Sequence, residues 1–226
     1  MSKKRGFGVC TLLMLNICAS DPTNPLLRHC IVLGAIYNTL YMDKDIHTIL
    51  WTEQALAQRV TQLASQITAD FNSSPSSPVL LGVANGAFIF LADLARNINL
   101  PVSIDFIRAN SYASSTLSNG APIFSLDLKL DILGKHVIVV EDIVDTGNTL
   151  CCLIPHLKNK GASSVSVCTL LDKPSRRKVN FELVGNGKYY CGFECPDHFV
   201  VGYGLDFAER YRNLPFIGVL KPEIYK

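Results

Sequence analysis

The stretch Val137-Ile-Val-Val-Glu-Asp-Ile-Val-Asp-Thr-Gly-Asn-Thr149 combines an apolar run, three acids and a short polar turn. The run from His136 to Val140 has the length and composition of a strand that is buried on both faces. A helix is predicted from Leu150 to Lys160, directly after the polar turn. The stretch therefore predicts the carboxyl end of a parallel strand, which is the usual place for a ligand in an open α/β sheet.

The turn of this stretch suits the binding of a phosphate. Small hydroxyl residues and a glycine before a helix offer N–H groups and hydroxyls to an anion, and the helix dipole favours its charge. Glu141 and Asp142 precede the turn and suit sugar hydroxyls or a hard cation. An ordinary turn with solvated acids is the alternative, but the whole pattern favours a ligand site. The residues of the turn are Thr146, Gly147, Asn148 and Thr149.

The length of 226 residues and the hydrophobic fraction of 48% fit one α/β domain with a sizeable core and an appended tail. The formal net charge of +2 is unevenly distributed, because residues 1–41 carry four basic residues against one acid. The rest of the chain has 17 basic and 18 acidic residues. This near-neutral body gives no indication of nucleic-acid binding.

Cysteine usage indicates the compartment. Eight cysteines are present, and none forms a CxxC pair. Cys191 and Cys195 make a lone CxxxC with no second pair, so we expect free thiols rather than a zinc site. Free thiols indicate a reducing compartment, and we therefore expect a cytoplasmic protein.

Residues 1–41 differ from the rest of the chain. A basic start, Lys3-Lys4-Arg5, precedes an apolar stretch from Gly6 to Ala19, which is typical of a secretory signal and short for a membrane span. We favour an extension outside the core fold, which a misplaced start codon would also explain, over a working signal. The core domain is predicted at 42–226, with no membrane association of its own.

A second strand, turn and helix follow the same pattern as the first. The apolar run Val79–Val83 predicts a buried strand, and a helix is predicted through Arg96. Asn85 and Gly86 lie between them and offer backbone N–H groups to another anion. Ahead of this strand, Thr52 is a candidate N-cap for an amphipathic helix that we interpret as structural.

Two further predicted strands end in polar residues. The strand over 102–107 precedes a Ser-, Gly- and Asn-rich segment that includes Ser111 and Tyr112 and has the composition of a mobile loop. The strand over 164–171 leads to Lys173, which on its own would be interpreted as a solvated lysine.

Together these motifs resemble the ribose-phosphate and pyrophosphate signature of type I phosphoribosyltransferases. From about Asp43 to its end, the chain is similar to the hypoxanthine-guanine branch of that family, and most closely to its plant members. The resemblance implies an α/β fold with an open, mainly parallel sheet, flanking helices and a small hood. It also implies Mg²⁺ as a cofactor and a homodimer or homotetramer.

The resemblance assigns roles to the central stretch and to the mobile loop. Asp145 would lie beside purine N7 as general base or proton partner. Glu141 and Asp142 would hold the ribose hydroxyls or their metal, and the turn that follows would bind the phosphate. Ser111 and Tyr112 would close as a flap over the transition state.

Other loops would bind the pyrophosphate and the base. Many relatives carry lysine where this chain has Asn85, so the loop with Asn85 and Gly86, whose peptide can be cis, would bind pyrophosphate through its backbone. Lys173 would donate to the purine 6-oxo group, and an ammonium, which can only donate, favours oxopurines over adenine. Phe199 would stack on the base, Val200 would meet its edge through the backbone, Asp206 would bind metal, and Arg212 would contact pyrophosphate.

The implied reaction joins hypoxanthine or guanine to 5-phosphoribosyl-1-pyrophosphate and gives IMP or GMP with release of pyrophosphate. Magnesium would neutralise the departing pyrophosphate, and the flap would exclude water. One alternative is a non-catalytic regulator of the same fold, against which Asp145 and Lys173 argue. Another is a nucleotide-binding module, which would not need Ser111, Tyr112 or Arg212. The preference between the two bases and the use of xanthine stay open at this point.

We predict that deletion of residues 1–41 leaves activity and the thermal midpoint nearly unchanged, because the family-like pattern and the first amphipathic helix begin after Met42. The truncated and full-length proteins would be compared by turnover and by thermal unfolding. An insoluble or inactive truncation would show instead that these residues pack on the core.

Overall fold

The computed structural model describes residues 44–74, 76–110, 123–125 and 128–226. The helices are α1 (Glu53–Phe71), α2 (Phe88–Asn97), α3 (Asn148–Asn159) and α4 (Pro222–Tyr225), with a 3₁₀ turn at Pro174–Arg176. The strands are β1 (Ile46–Trp51), β2 (Val79–Ala84), β3 (Ser103–Asn110), β4 (Ile123–Ser125), β5 (His136–Val144), β6 (Ser164–Asp172), β7 (Tyr189–Glu194), β8 (Val200–Val201) and β9 (Ile217–Leu220).

A six-stranded sheet in the order β4-β3-β2-β5-β6-β7 forms the centre of the described chain. The five strands from β3 to β7 in this order pair in parallel, and β4 pairs antiparallel at the edge. The chain leaves β2 toward β3 on one side and leaves β5 toward β6 on the other. The gap between β2 and β5 is therefore a topological switch point, where open α/β sheets bind their ligands.

The predicted burial of β5 on both faces is confirmed. Ile138 and Val140 face a core that is covered by α1 and α2, whereas Val137 and Val139 face a second core that is covered by α3. All four side chains are fully buried. The alternation of the two sets follows from the period of two residues in a strand.

The predicted end of β5 at Val140 is wrong, because the strand continues to Val144 and includes Glu141 and Asp142. Pairing with β2 stops at Val140, but pairing with β6 continues as far as Val144. Hydrogen bonds along one edge are enough to keep these residues extended. The acids therefore lie within a strand that has lost its neighbour on one side.

The predicted helices are present with shifted bounds. Thr52 caps α1 by accepting a hydrogen bond from the N–H of Ala55 at 3.3 Å, as predicted. α3 begins two residues earlier than predicted, at Asn148, and continues past Pro155 to Asn159. The segment after α3 turns at Gly161, whose φ of +85° is a conformation that glycine adopts most readily.

A second sheet of three strands, in the order β1-β9-β8, forms the hood. The strands pair antiparallel, and β9 lies between the other two. β1, β4, β7 and α4 have no counterpart in the predictions from sequence. The predicted architecture of an open, mainly parallel sheet with flanking helices and a small hood is confirmed.

Within the described residues, no helix is both long enough and apolar enough to span a membrane.

Candidate active site

A cleft of about 480 Å³ lies at the carboxyl ends of β5 and β6, where segments from four parts of the chain meet. The first two parts are the end of β5 and the residues that follow β6. The others are the segment before and after β8 and the C-terminal helix α4. Its lining residues include Asp142, Ile143, Asp145, Lys173, Arg176, Asp197, His198, Phe199, Val200, Leu205, Asp206 and Tyr225.

A smaller cavity of about 80 Å³ lies against the turn that begins α3. It is lined by Thr146, Gly147 and Thr149 of the predicted phosphate turn and by Glu141 of β5. Asn148 belongs to the same turn, but its side chain is exposed. The first N–H groups of a helix have no partner within the helix, so this cavity suits an anion.

The two cavities share a wall. Ile143 and Asp145 line both of them. A molecule with one group in the larger cleft and a phosphate in the smaller cavity would therefore pass directly by Asp145.

Gly147 is required by the geometry of the turn. Its φ is +87°, and a Cβ at this position would lie 2.6 Å from the carbonyl oxygen of Val179. The N–H of Val179 also donates to the carbonyl oxygen of Thr146 at 3.2 Å. Close packing of these two segments leaves no space for a side chain at Gly147, which explains the glycine that the sequence has there.

The carboxylate of Asp145 is partly free for a ligand. Its Oδ1 is buried and accepts no hydrogen bond from the described residues. The Nε of Arg176 lies 3.3 Å from this oxygen, without the alignment of a hydrogen bond. Both side chains are more than a third exposed, so this ion pair is weak. A buried acceptor without a donor can bind a hydrogen from a molecule in the cleft.

Arg177 holds the main chain of the turn in place. Its Nε donates to the carbonyl oxygen of Asp145 at 3.2 Å, and its guanidinium also pairs with the carboxylate of Asp172. Nearby, the N–H of Lys173 donates to the carbonyl oxygen of Val144 at 2.9 Å. The residues that follow β6 therefore position the turn that follows β5.

Lys173 is a buried lysine rather than a solvated one. The residue is 7% exposed, and its Nζ donates to the carbonyl oxygen of His198 at 2.5 Å. An ammonium has three hydrogens, and this contact uses one of them. Lys173 lines the cleft, so the others are available to an acceptor bound there.

Phe199 and Val200 also line the cleft, as predicted for residues that contact a base. Val200 is buried, and its backbone pairs with Val219 of β9. Phe199 is 38% exposed, which is unusual for a phenylalanine beside a packed core. A half-exposed aromatic ring at the edge of a cleft can stack on a planar ligand.

The predicted pyrophosphate loop lies across the switch point from β5. The peptide between Ala84 and Asn85 is cis, as the resemblance implied. A Cβ on Gly86 would lie 1.7 Å from Oδ2 of Asp142, and a Cβ on Gly204 would lie 2.1 Å from the carbonyl oxygen of Gly86. Asp142 is therefore packed against the backbone of this loop, and only glycine fits at either position.

Burial shifts the pKa of both acids in β5 upward. The pKa of Glu141 is raised well above its usual range, mainly by burial and secondly by the charge of Asp142. Burial raises the pKa of Asp142 to about 6, although the N–H of Ile143 and the charge of Arg212 act in the opposite direction. Two ionised carboxylates here would repel each other, so the site favours a cation or hydroxyl donors.

Arg212 and Asp206 meet beside these acids. The Nη2 of Arg212 lies 2.9 Å from Oδ1 of Asp206, and its Nη1 donates to the carbonyl oxygen of Gly204 at 2.7 Å. The charges of both side chains act on the pKa of Asp142. The structure thus brings together Asp142, Asp206 and Arg212, which the sequence placed in separate motifs.

The acids at this end of the cleft fit a magnesium ion. Mg²⁺ is bound in phosphate-handling sites by one or two carboxylates, together with waters and substrate oxygens. Asp142 and Asp206 both line the cleft, and the charge of Asp142 is only partly compensated by its protein contacts. Within the described residues, no group of three or more His, Cys, Asp or Glu side chains could hold a metal ion.

Two predicted site residues, Ser111 and Tyr112, lie outside the described residues. The residues that line the cleft or support it without having been predicted include Arg176, Arg177 and Tyr225. The adjacent arginines three and four residues after Lys173 were a usable signal, since a basic pair near a strand end often faces an acid. Nothing in the sequence around Tyr225 connects it to the cleft.

Comparisons with known proteins agree with this geometry. A family model described as a phosphoribosyl transferase domain matches residues 48–208. The hypoxanthine-guanine phosphoribosyltransferase of Bacillus subtilis is 41% identical over 185 residues, which cover 82% of this chain and 99% of that protein. The chain belongs to the hypoxanthine-guanine phosphoribosyltransferase family.

Solved structures of this family share the fold. A hypoxanthine phosphoribosyltransferase of Staphylococcus aureus has a TM-score of 0.74 and 40% identity, covering 82% of this chain and 97% of that one. A hypoxanthine-guanine phosphoribosyltransferase of Bacillus anthracis has a TM-score of 0.70 and 45% identity, covering 78% of this chain and all of that one. The predicted type I phosphoribosyltransferase fold is confirmed. The predicted closeness to plant members receives no support from these bacterial relatives.

We predict that Asp142→Asn raises the thermal midpoint by a few degrees at pH 7 in magnesium-free buffer. The ionised, buried carboxylate destabilises the folded state above its raised pKa of about 6, and asparagine carries no charge. Below the ordinary pKa of 3.8 the carboxyl is protonated in both states, so the advantage should disappear near pH 4. Thermal unfolding of both proteins from pH 4 to 8 tests this. An asparagine variant that is less stable at pH 7 would contradict it.

Proposed function

We propose that this chain is a purine salvage phosphoribosyltransferase that converts hypoxanthine or guanine and 5-phosphoribosyl-1-pyrophosphate to IMP or GMP and pyrophosphate. One observation carries the proposal: Asp145 lies on the shared wall between the larger cleft and the smaller anion cavity. A nucleoside monophosphate has its base and its phosphate at opposite ends, with the ribose between them. The two cavities match these two ends.

The base occupies the larger cleft in this proposal. Lys173 donates to the 6-oxo group from its buried position, and the ring of Phe199 stacks on the base. The backbone of Val200 meets the edge of the base. Adenine has a donor at position 6, so it would leave the ammonium of Lys173 without an acceptor.

The sugar phosphate occupies the smaller cavity. Thr146, Gly147, Asn148 and Thr149 offer hydroxyls and N–H groups to the 5-phosphate at the start of α3. Glu141 and Asp142 hold the ribose hydroxyls, which donate to carboxylates. The pyrophosphate lies by the backbone of Asn85 and Gly86 and by the guanidinium of Arg212, which pairs with Asp206 in the protein alone.

Asp145 acts as the proton acceptor for the purine base. Its buried Oδ1 accepts no hydrogen bond from the described residues, so it can accept one from N7–H of the incoming purine. The negative charge of the Asp145 carboxylate also stabilises the positive charge that develops on the ribosyl carbon in the transition state. Ser111 and Tyr112 would exclude water, which would otherwise take the ribosyl group.

Asp142 and Asp206 of the cleft, with Glu141 nearby, would hold a magnesium ion, which would neutralise charge on the departing pyrophosphate. We further propose a cytoplasmic enzyme that assembles as a homodimer or homotetramer.

The experiment that tests the function measures pyrophosphate release with hypoxanthine, guanine, xanthine and adenine in turn. Release with the first two bases and little with adenine is expected. No release with any base, in protein that binds 5-phosphoribosyl-1-pyrophosphate, would favour a regulator over an enzyme.

We predict that Asp145→Asn keeps the fold and sugar-phosphate binding but lowers turnover by roughly tenfold to ten-thousandfold, the range for a general acid–base group. Asparagine has the same shape but cannot accept a proton. Steady-state turnover and calorimetric binding of 5-phosphoribosyl-1-pyrophosphate would be measured together. The matched control is Glu182→Gln at an exposed acid that lines neither cavity. Unchanged turnover of Asp145→Asn would remove Asp145 from proton transfer.

We predict that Lys173→Ala lowers kcat/KM for the oxopurines by about tenfold or more, because charge-assisted hydrogen bonds contribute roughly 1.5–3 kcal/mol. The affinity for 5-phosphoribosyl-1-pyrophosphate should change far less. Lys178→Ala, at an exposed lysine in the same segment, serves as the control. Strong use of adenine by the wild type, or unchanged oxopurine kinetics in the variant, would refute the role of Lys173.

A further inference from the structure

The C-terminal helix brings an aromatic ring to the cleft. The ring of Tyr225 stacks on the ring of Phe199, with centroids 4.7 Å apart and an interplanar angle of 20°. Phe207 meets both rings nearly edge-on, at 5.7 Å from Phe199 and 6.5 Å from Tyr225. These distances and angles are those of favourable aromatic pairs. We call Phe199, Phe207 and Tyr225 the ring cluster.

The backbone holds the ring cluster together. The N–H of Leu220, at the end of β9, donates to the carbonyl oxygen of Phe199 at 2.9 Å. The helix α4 starts at Pro222, and the N–H of Lys226 closes it by donating to the carbonyl oxygen of Pro222 at 3.0 Å. Proline suits the first position of a helix because its φ is already helical. The backbone of Phe199 is therefore hydrogen-bonded to Leu220, five residues before Tyr225.

Two members of the ring cluster, Phe199 and Tyr225, line the cleft. Among the described residues that line the cleft, Phe207 is absent. It therefore contacts the other two rings from outside the cleft. A phenylalanine that is 38% exposed would otherwise be able to change its rotamer. Contacts from two rings favour the orientation that Phe199 has in this structure.

We propose that Tyr225 is a positioning residue for the purine: it covers one face of the Phe199 ring and leaves the opposite face for the base. The inference rests on the proposed function and deepens it. A base that stacks on an already oriented ring loses less free energy to the ordering of that ring. Tyr225 thus favours base binding without touching the reacting atoms.

The competing arrangement is a plug, in which Tyr225 occupies the place of the base and must leave before the base binds. The two arrangements predict opposite changes in the affinity for the base when the ring of Tyr225 is removed. Removal of a supporting ring weakens base binding, whereas removal of a plug strengthens it.

The test compares wild type, Tyr225→Ala and Tyr225→Phe by steady-state kinetics. In the alanine variant, we expect KM for hypoxanthine to rise about three- to tenfold, the size of effect that aromatic pairs produce. KM for 5-phosphoribosyl-1-pyrophosphate and kcat should stay within about twofold. The phenylalanine variant should behave as wild type, because it retains the ring. Glu223→Ala, at an exposed residue of the same helix, is the control for effects that any substitution in α4 would produce.

Calorimetric binding of GMP gives a readout that does not need turnover. Its affinity should fall in Tyr225→Ala by the same factor as KM for hypoxanthine rises, with the thermal midpoint measured alongside. An unchanged or lowered KM for hypoxanthine, or an equal rise in both KM values, would overturn the role of Tyr225 while wild-type turnover upholds the proposed function. If the wild type neither turns over any purine nor binds GMP, the proposed function fails and the role of Tyr225 fails with it.

Discussion

The end of β5 pairs with one neighbour instead of two, and the rest of the candidate site depends on this one-sided pairing. β2 stops pairing with β5 at Val140, whereas β6 continues to pair with β5 as far as Val144. The residues from Glu141 to Val144 therefore remain extended while one backbone edge faces the switch point of the sheet. Acids placed in this segment stay close to a buried core and still reach a ligand.

Close packing fills the opening that β2 leaves. Gly86 brings the backbone of its loop onto the carboxylate of Asp142, and Gly204, in the segment between β8 and β9, packs against the carbonyl oxygen of Gly86. Burial of Glu141 and Asp142 raises the pKa of both carboxyl groups, so the protein holds charges that its own contacts compensate only in part. Such uncompensated charge costs stability, and a bound cation or hydroxyl donors would offset it. The fold thus holds a site whose electrostatics favour the ligand.

Much of this site could be predicted from the sequence because its parts are local. The motif after Val140 has a helix, a positive-φ glycine and acids within a dozen residues, and each of these has a local physical cause. The same holds for Asn85 and Gly86 after β2. The prediction failed where the cause was not local: β5 runs past Val140 because β6 continues to pair with it, and no pattern in the stretch itself reveals that partner.

The sequence by itself determined the α/β class of the domain, the two turns predicted to bind anions and the identity of the acids, because hydrophobic period, glycine conformation and helix polarity act over a few residues. Only the tertiary structure decided that Asp145 separates two cavities, that Arg177 holds the turn after β5, and that Tyr225 stacks on Phe199. Arg177 and Asp145 lie 32 residues apart in the chain, and Tyr225 and Phe199 lie 26 residues apart. Their geometry follows from strand order and hood packing, which depend on the burial of apolar surface by the whole chain rather than on any one segment.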